Sequence, residues 1–290
     1  MLQPVRVGLG WLDKQEAVRL LHEDRAVGPE ESSRLEDALR AAAAQVCARL
    51  PGVESFTINP FPRCLSEQAR KFRLRNEVGQ QLQDMDWDLG VIDLAEVLSF
   101  QKMIRWDSTD RLASLSADDW EGLFRLTLPE APEAEELHIE TFFDAPNRAT
   151  ILSSPDLNLC STSHGSADMV SLSDGGLPKK IRLYGYGVAV RPSILQAVEY
   201  RGRLFIRDGY HRSVGLLKYG IRHVPAVVVR AKSLLQVGAN AEGFFSEEVI
   251  MGDRPMRLRD FLDDTVTATI QRTVFRKVVR IVAEEYIVRI

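Results

Sequence analysis

The chain predicts an α+β fold: a helical N-terminal subdomain over residues 1-86, a mixed-sheet core over 87-250 and a β-rich C-terminal extension over 251-290. Three observations carry that prediction. Leu35, Ala38, Leu39, Ala42 and Val46 recur at helical spacing on one face. Leu204 to Val229 reads LFIRDGYHRSVGLLKYGIRHVPAVVV, which is an apolar strand, a glycine-bearing turn, an amphipathic helix, a glycine stop and a second apolar strand. Beyond Gly252, Val266, Ala268 and Ile270 alternate with polar residues, and Val274, Val278 and Val282 follow. Their β-branched content favours strands over the helix that Arg272 to Glu285 would also permit.

Taken in order, Asp13 to His22 and Pro29 to Leu50 read as two helices. Glu30 and Glu31 follow Gly28-Pro29, where acids complement a helix start, and Pro51-Gly52 supplies the stop. Val53 to Ile58 reads as a short strand closed by Asn59-Pro60-Phe61-Pro62. Ser66 to Met85 is expected to form a third long helix with Ser66 as its cap. Composition shifts at Trp87 to Gly90, Val91 to Leu94 reads extended, and Ala95 to Ile104 is expected as a short helix. Asp118-Asp119-Trp120 opens another, and Leu128 to Glu133 reads as a solvated linker because proline stops the helix. Leu137 to Phe143 and Ala149 to Leu152 are strand candidates, and the Ser, Asp, Gly and Pro content of Ser153 to Lys180 predicts a long loop. Gly185-Tyr186-Gly187 lacks the full dinucleotide fingerprint and is expected as a tight turn.

Composition bounds the function. The 290 residues are 45% hydrophobic and 27% charged, which suits one large or two small globular domains. No stretch approaches eighteen apolar residues, and Met1 to Arg6 lacks a basic-then-apolar leader, so no membrane partner and a cytoplasmic location are expected. Three cysteines, Cys47, Cys64 and Cys160, form neither a disulfide framework nor a zinc pattern, and reduced thiols are expected. A net charge of -4 disfavours nucleic acid as the main partner. Cys160 and His164 lack a second pair at zinc spacing, so no metal site is assigned.

The turn from Asp208 to Arg212 carries the clearest chemistry. Gly209 lets backbone approach a ligand, the helix beginning near His211 offers unpaired N–H groups, and Arg212 can grip phosphate oxygens in pairs. Asp208 caps the helix in either a structural or a ligand-binding role.

Asp208-Gly209-Tyr210-His211-Arg212 resembles the D-G-x-H-R signature of the ParB/sulfiredoxin superfamily. Val188 to Pro192 is similar to that family's strand before the motif, Gly220-Ile221 with Val224 to Val227 to the segment after its helix, and Val91 to Leu98 to its first strand and turn. The resemblance implies a nucleotide-binding domain with Gly209, Tyr210, His211, Arg212, Ser213 and Gln101 as ligand contacts and Asp208, His211 and Glu96 as catalytic candidates. Tyr210 stands where the sulfiredoxin branch has its catalytic cysteine, and a phenol cannot replace that thiolate. Gln101 falls near where the free-serine-kinase branch has its base, leaving Glu96 or Asp93 to stand in. The partition branch appends a helix-turn-helix reader, and nothing after Arg230 reads as one.

The expected ligand is a nucleotide, ATP, ADP or CTP, with or without magnesium, or another phosphorylated small molecule bound at Gly209 to Arg212. Phosphoryl transfer or nucleotide hydrolysis is the accompanying chemistry. The alternatives are a non-catalytic regulatory or assembly module, with the C-terminal strands forming a homodimer, and a DNA-acting nuclease.

Overall fold

The computed structural model describes residues 2–22, 29–51, 56–106, 115–130, 138–155, 158–170, 180–238, 243–273, 276–282 and 284, with backbone alone at 22, 29, 162–170 and 180–186. The chain is α+β and divides into two units, Met1–Pro129 with Ser193–Val274, and Glu130–Pro192 with Phe275–Ile290. These units cut across the three segments that composition suggested at 1-86, 87-250 and 251-290.

The first unit opens on β1 (Leu2–Val7), a strand that local patterning does not announce. The helices α1 (Lys14–His22) and α2 (Pro29–Ala48) follow as expected. Asp13 caps α1 by accepting the Glu16 N–H at 2.8 Å. In α2, Leu35, Leu39, Ala42 and Val46 are buried, whereas Ala38 is exposed. The proposed strand at 53–58 lies partly outside the described residues; 56–58 is irregular, and Asn59 bridges to Val91.

The single helix expected over 66–85 is instead two, α3 (Ser66–Arg73) and α4 (Asn76–Gln81), separated at Leu74 and an extended Arg75. Packing explains the break. Phe72 and Val78 are both buried, yet six residues on one helix would turn Val78 about 240° away from Phe72. Ser66 is not the cap, because its Oγ donates to Arg63 O at 2.7 Å and Leu65 occupies the cap position.

A five-stranded mixed sheet forms the centre of this unit. It comprises β2 (Asp86–Asp93), β3 (Leu98–Ser99), β9 (Gln196–Tyr200), β10 (Arg203–Asp208) and β11 (His223–Arg230), ordered β2-β11-β9-β10-β3. β11 and β9 run parallel, as do β10 and β3, and the other two pairings are antiparallel. Ala95 to Ile104 is therefore not helical: it holds β3 and β4 (Met103–Arg105). The reason is distant hydrogen bonding, since Leu258 N–H donates to Val97 O and Ser99 N–H to Met256 O. A second, antiparallel sheet is ordered β12-β1-β4, with β12 at Ala268–Thr273.

Between β10 and β11 lies α6 (Tyr210–Lys218), as the sequence predicts. Gly220 (φ 78°) ends it: Gly220 N–H donates to Leu217 O and Ile221 N–H to Leu216 O, the paired bonds of a glycine-terminated helix. Its inner face, Val214 and Leu216, joins a core with Phe72, Phe100, Phe205 and Phe261, in which the Phe100 and Phe205 rings stack at 4.5 Å.

The helix α5 (Trp120–Thr127) begins as predicted, with Asp119 accepting the Gly122 N–H at 2.8 Å. At its other end Leu126 O is matched by Arg212, Thr127 O by Leu195 N–H, and Leu128 and Pro129 O by Arg75.

The second unit holds β5 (Glu140–Asp144), β6 (Ala149–Ser154) and β13 (Lys277–Val282) as an antiparallel sheet ordered β13-β6-β5. It also holds the antiparallel pair β7 (Leu159–Val170) and β8 (Lys180–Val190). The long loop expected over 153–180 is thus largely strand, with 171–179 outside the described residues. Cross-strand backbone pairing from Leu159↔Val190 to Val170↔Lys180 orders a segment whose composition resembles a loop. Gly185, Tyr186 and Gly187 sit inside β8 opposite Gly165, His164 and Ser163 and are no turn. Val188 to Val190 ends β8, so the strand that precedes β10 in its sheet is β9.

Candidate functional site

Gly209 caps α6 at φ 93° and ψ 19°, a left-handed conformation that glycine adopts without strain. A Cβ there would also come within 3.1 Å of Leu195 Cγ and 3.3 Å of Leu195 Cα. The glycine is therefore required by chain geometry and packing, without any ligand. Asp208 accepts the Gly209 N–H at 2.6 Å and the Ser193 hydroxyl at 3.2 Å. Arg212 Nη2 donates to the same Ser193 Oγ at 2.9 Å, and Nη1 donates to Leu126 O at 2.7 Å. Burial lowers the Arg212 pKa, opposed by the charge of Asp208.

Of the other residues expected to contact a ligand, Tyr210 and Ser213 are buried, whereas His211 and Gln101 are half-buried. Tyr210 is 3% exposed; its hydroxyl donates to Ile206 O at 2.7 Å and accepts the Phe100 N–H at 3.1 Å. His211 Nε2 accepts the Arg105 N–H at 3.0 Å, which ties α6 to β4. Ser213 is fully buried, and its Oγ has no hydrogen-bond partner among the described residues. Gln101 bridges to Phe244 through its backbone, and its carbonyl accepts from Ser99 Oγ. The structure thus brings Asp208, Gly209 and Arg212 together but turns them onto Ser193, Leu195 and Leu126. A phosphate at this turn would have to displace those contacts and face the Asp208 carboxylate.

Glu96 belongs to a different group. Its carboxylate lies 3.2 Å from Arg259, 3.6 Å from Arg257 and 4.0 Å from Arg222. Asp93 accepts from Arg222 at 2.5 Å and from Ala95 N–H at 3.0 Å. Burial raises the Asp93 pKa, but the Arg222 bond, the Ala95 N–H and nearby positive charge outweigh it and leave it lowered. Asp93, Glu96 and His223, with Asn59 and Thr57, line a cavity of about 340 Å3. His223 Nε2 is 3.8 Å from Asp93, beyond hydrogen-bond reach.

A cavity of about 800 Å3 opens elsewhere in the first unit. Arg49, Arg254, Arg257 and Arg259 line it with Asp260 and Asp263, and Leu50, Pro51, Pro255 and Leu262 complete the wall. Arg49, from the end of α2, lies over the Trp11 ring at 5.3 Å and pairs with Asp260 at 2.9 Å and Asp263 at 3.3 Å. The short turn at Leu258–Leu262 supplies Asp260, which also accepts the Arg257 N–H at 2.7 Å. Burial raises the Asp260 pKa despite the neighbouring arginines that lower it. The four guanidiniums set against Asp260 and Asp263 leave two net positive charges on the lining, and a perturbed carboxyl in a charged cleft marks a candidate functional site.

No protein-family model, curated protein or solved structure matches this chain. The cavity residues therefore stand on their geometry alone. Sequence reading passed over them because Arg49 and Arg254 are 205 positions apart, although Arg254, Arg257 and Arg259 form a basic run that was open to view.

Proposed function

We propose that this protein binds a nucleotide or another phosphorylated small molecule, and that it does so in the arginine-lined cavity rather than at the Gly209 turn. The observation that carries this reading is the convergence of Arg49, Arg254, Arg257 and Arg259 on one cavity of about 800 Å3, within the size range of small-molecule sites. Guanidiniums suit phosphate because their planar N–H forks match its oxygens. A ParB/sulfiredoxin-like ancestry is part of the proposal, supported by the order strand, D-G-Y-H-R turn, helix, glycine and strand within a mixed sheet. Under this reading Asp208, His211 and Arg212 are positioning residues of the fold. Asp93 and Glu96, held by arginines, lend no support to a kinase base or a nuclease centre at the turn.

The test is a thermal-shift and calorimetric screen of ATP, ADP and CTP, with and without magnesium, on the full chain. A ligand that binds the folded state raises its melting temperature. The rise should disappear in the double variant Arg257→Ala/Arg259→Ala. Absence of any shift with these nucleotides, with AMP and with inorganic phosphate at millimolar concentration would refute the reading.

A second reading, assembly through the smaller unit, is favoured by the exposure of Phe142 (52%), Phe143 (66%) and Val278 (53%) on its three-stranded sheet. β13 is an edge of that sheet, which keeps a homodimer through the C-terminal strands as a proposal tested by sedimentation.

A further inference from the structure

The four arginines of the large cavity are not equivalent. Arg49 is paired with Asp260 and Asp263, and Arg257 and Arg259 with Glu96. Arg254 alone among the lining arginines has no carboxylate within ion-pair distance among the described residues. Among the described residues its side chain makes one hydrogen bond, from Nε to Arg49 O at 2.9 Å, and neither terminal nitrogen of the guanidinium has an acceptor there. The backbone beneath it is fixed on both sides. Trp11 Nε1 donates to Arg254 O at 2.6 Å, and Pro255 follows with its restricted φ. A half-buried guanidinium held in this way is oriented before any ligand arrives, which lowers the entropic cost of binding.

The remaining wall is apolar. Leu50 is 90% exposed at the cavity, and Pro51, Pro255 and Leu262 lie with it. A ligand that satisfied only the charge would leave the exposed Leu50 and Pro51 in water. The charged groups that line the cavity, four guanidiniums against the carboxylates of Asp260 and Asp263, leave two net positive charges, which balance one phosphomonoester of about -2 and not a triphosphate.

From this geometry we propose that Arg254 anchors the phosphate of a phosphomonoester whose apolar or planar body lies against Leu50, Pro51, Pro255 and Leu262. The proposal rests on the arginine cavity being a ligand site and adds which residue grips the anion and which class of anion is preferred. Arg257 and Arg259, already engaged with Glu96, contribute the long-range field.

The experiment is calorimetric titration of the full chain with AMP, ATP and inorganic phosphate, repeated on Arg254→Ala, Arg254→Gln and Arg254→Lys. AMP should bind more tightly than either inorganic phosphate, which lacks the body, or ATP, which brings excess charge. Arg254→Ala and Arg254→Gln should each weaken AMP by about tenfold or more, as expected for loss of a charge-assisted bond, and Arg254→Lys by less. Circular dichroism of each variant checks folding, and Arg254→Gln retains an N–H donor for Arg49 O if the alanine variant misfolds. Unchanged AMP affinity in all three folded variants overturns the anchor, and ATP binding more tightly than AMP overturns the ligand class; in both cases the cavity reading survives. Binding of none of the three anions to the wild type overturns the anchor and the cavity reading together.

Discussion

Tyr210→Phe isolates one hydroxyl whose role the structure defines. The ring stays buried in the same place, so apolar burial is unchanged and only the Oη contacts are removed. Oη donates to Ile206 O at 2.7 Å and accepts from Phe100 N–H at 3.1 Å, and both partners are buried. Each bond contributes about 0.5–1.5 kcal/mol net, and a backbone N–H stranded in a dry site costs about 1–3 kcal/mol. Because these terms overlap, the expected loss is about 2–3 kcal/mol. Urea unfolding followed by tryptophan fluorescence measures it selectively, since Trp11, Trp87, Trp106 and Trp120 all lie in the first unit. The midpoint should fall with the slope unchanged. There is also a pH signature. Burial raises the phenol above its ordinary value of 10.0, so the folded state keeps a proton that the unfolded chain releases. Stability therefore falls as pH climbs past that ordinary value, and the Phe variant lacks this component. A loss below about 0.5 kcal/mol would refute the claim that Tyr210 fastens α6 to the β3–β4 connection, and weakened ligand binding at full stability would restore it as a ligand contact.

Gly209→Ala places a Cβ against Leu195 at a left-handed position and should cost about 1–2 kcal/mol from conformation alone, with more from the contact; a melting temperature equal to the wild type's would contradict this. Arg212→Ala removes the donors to Leu126 O and Ser193 Oγ and should destabilise the first unit by about 2–3 kcal/mol while leaving nucleotide affinity unchanged, which reverses the expectation from the sequence motif. Unaltered stability with abolished binding would return the phosphate site to the turn. Asp93 has a lowered pKa, so its contribution is present above the ordinary carboxylate value of 3.8 and is lost as pH falls through the folded-state value. Asp93→Asn should accordingly flatten the acid limb of the stability profile, and a superimposable acid limb would show that the Arg222 pair contributes nothing.

The features legible from sequence are those whose causes are local. Asp13 and Asp119 announce helix starts because a side-chain oxygen within three residues satisfies an unpaired N–H. Gly209 and Gly220 mark both ends of α6 because each sits at positive φ, where other residues are strained. The apolar runs on either side could only be buried strands, so the strand, turn, helix and strand from 203 to 230 followed directly from the residues. Tertiary structure decided whatever depends on partners distant in the chain. Val97 and Ser99 are extended because Leu258 and Met256 meet them, and Arg75 breaks a helix so that Phe72 and Val78 can both be buried. The polar β7 is a strand because β8 pairs with it along its length. The same dependence governs the arginines. Whether a guanidinium staples the fold or faces a cavity is set by which acceptors come within reach, Leu126 O and Ser193 for Arg212 and, among the described residues, Arg49 O for Arg254. No local pattern encodes that difference, because the acceptors lie tens to hundreds of residues away and folding alone brings them into hydrogen-bonding distance.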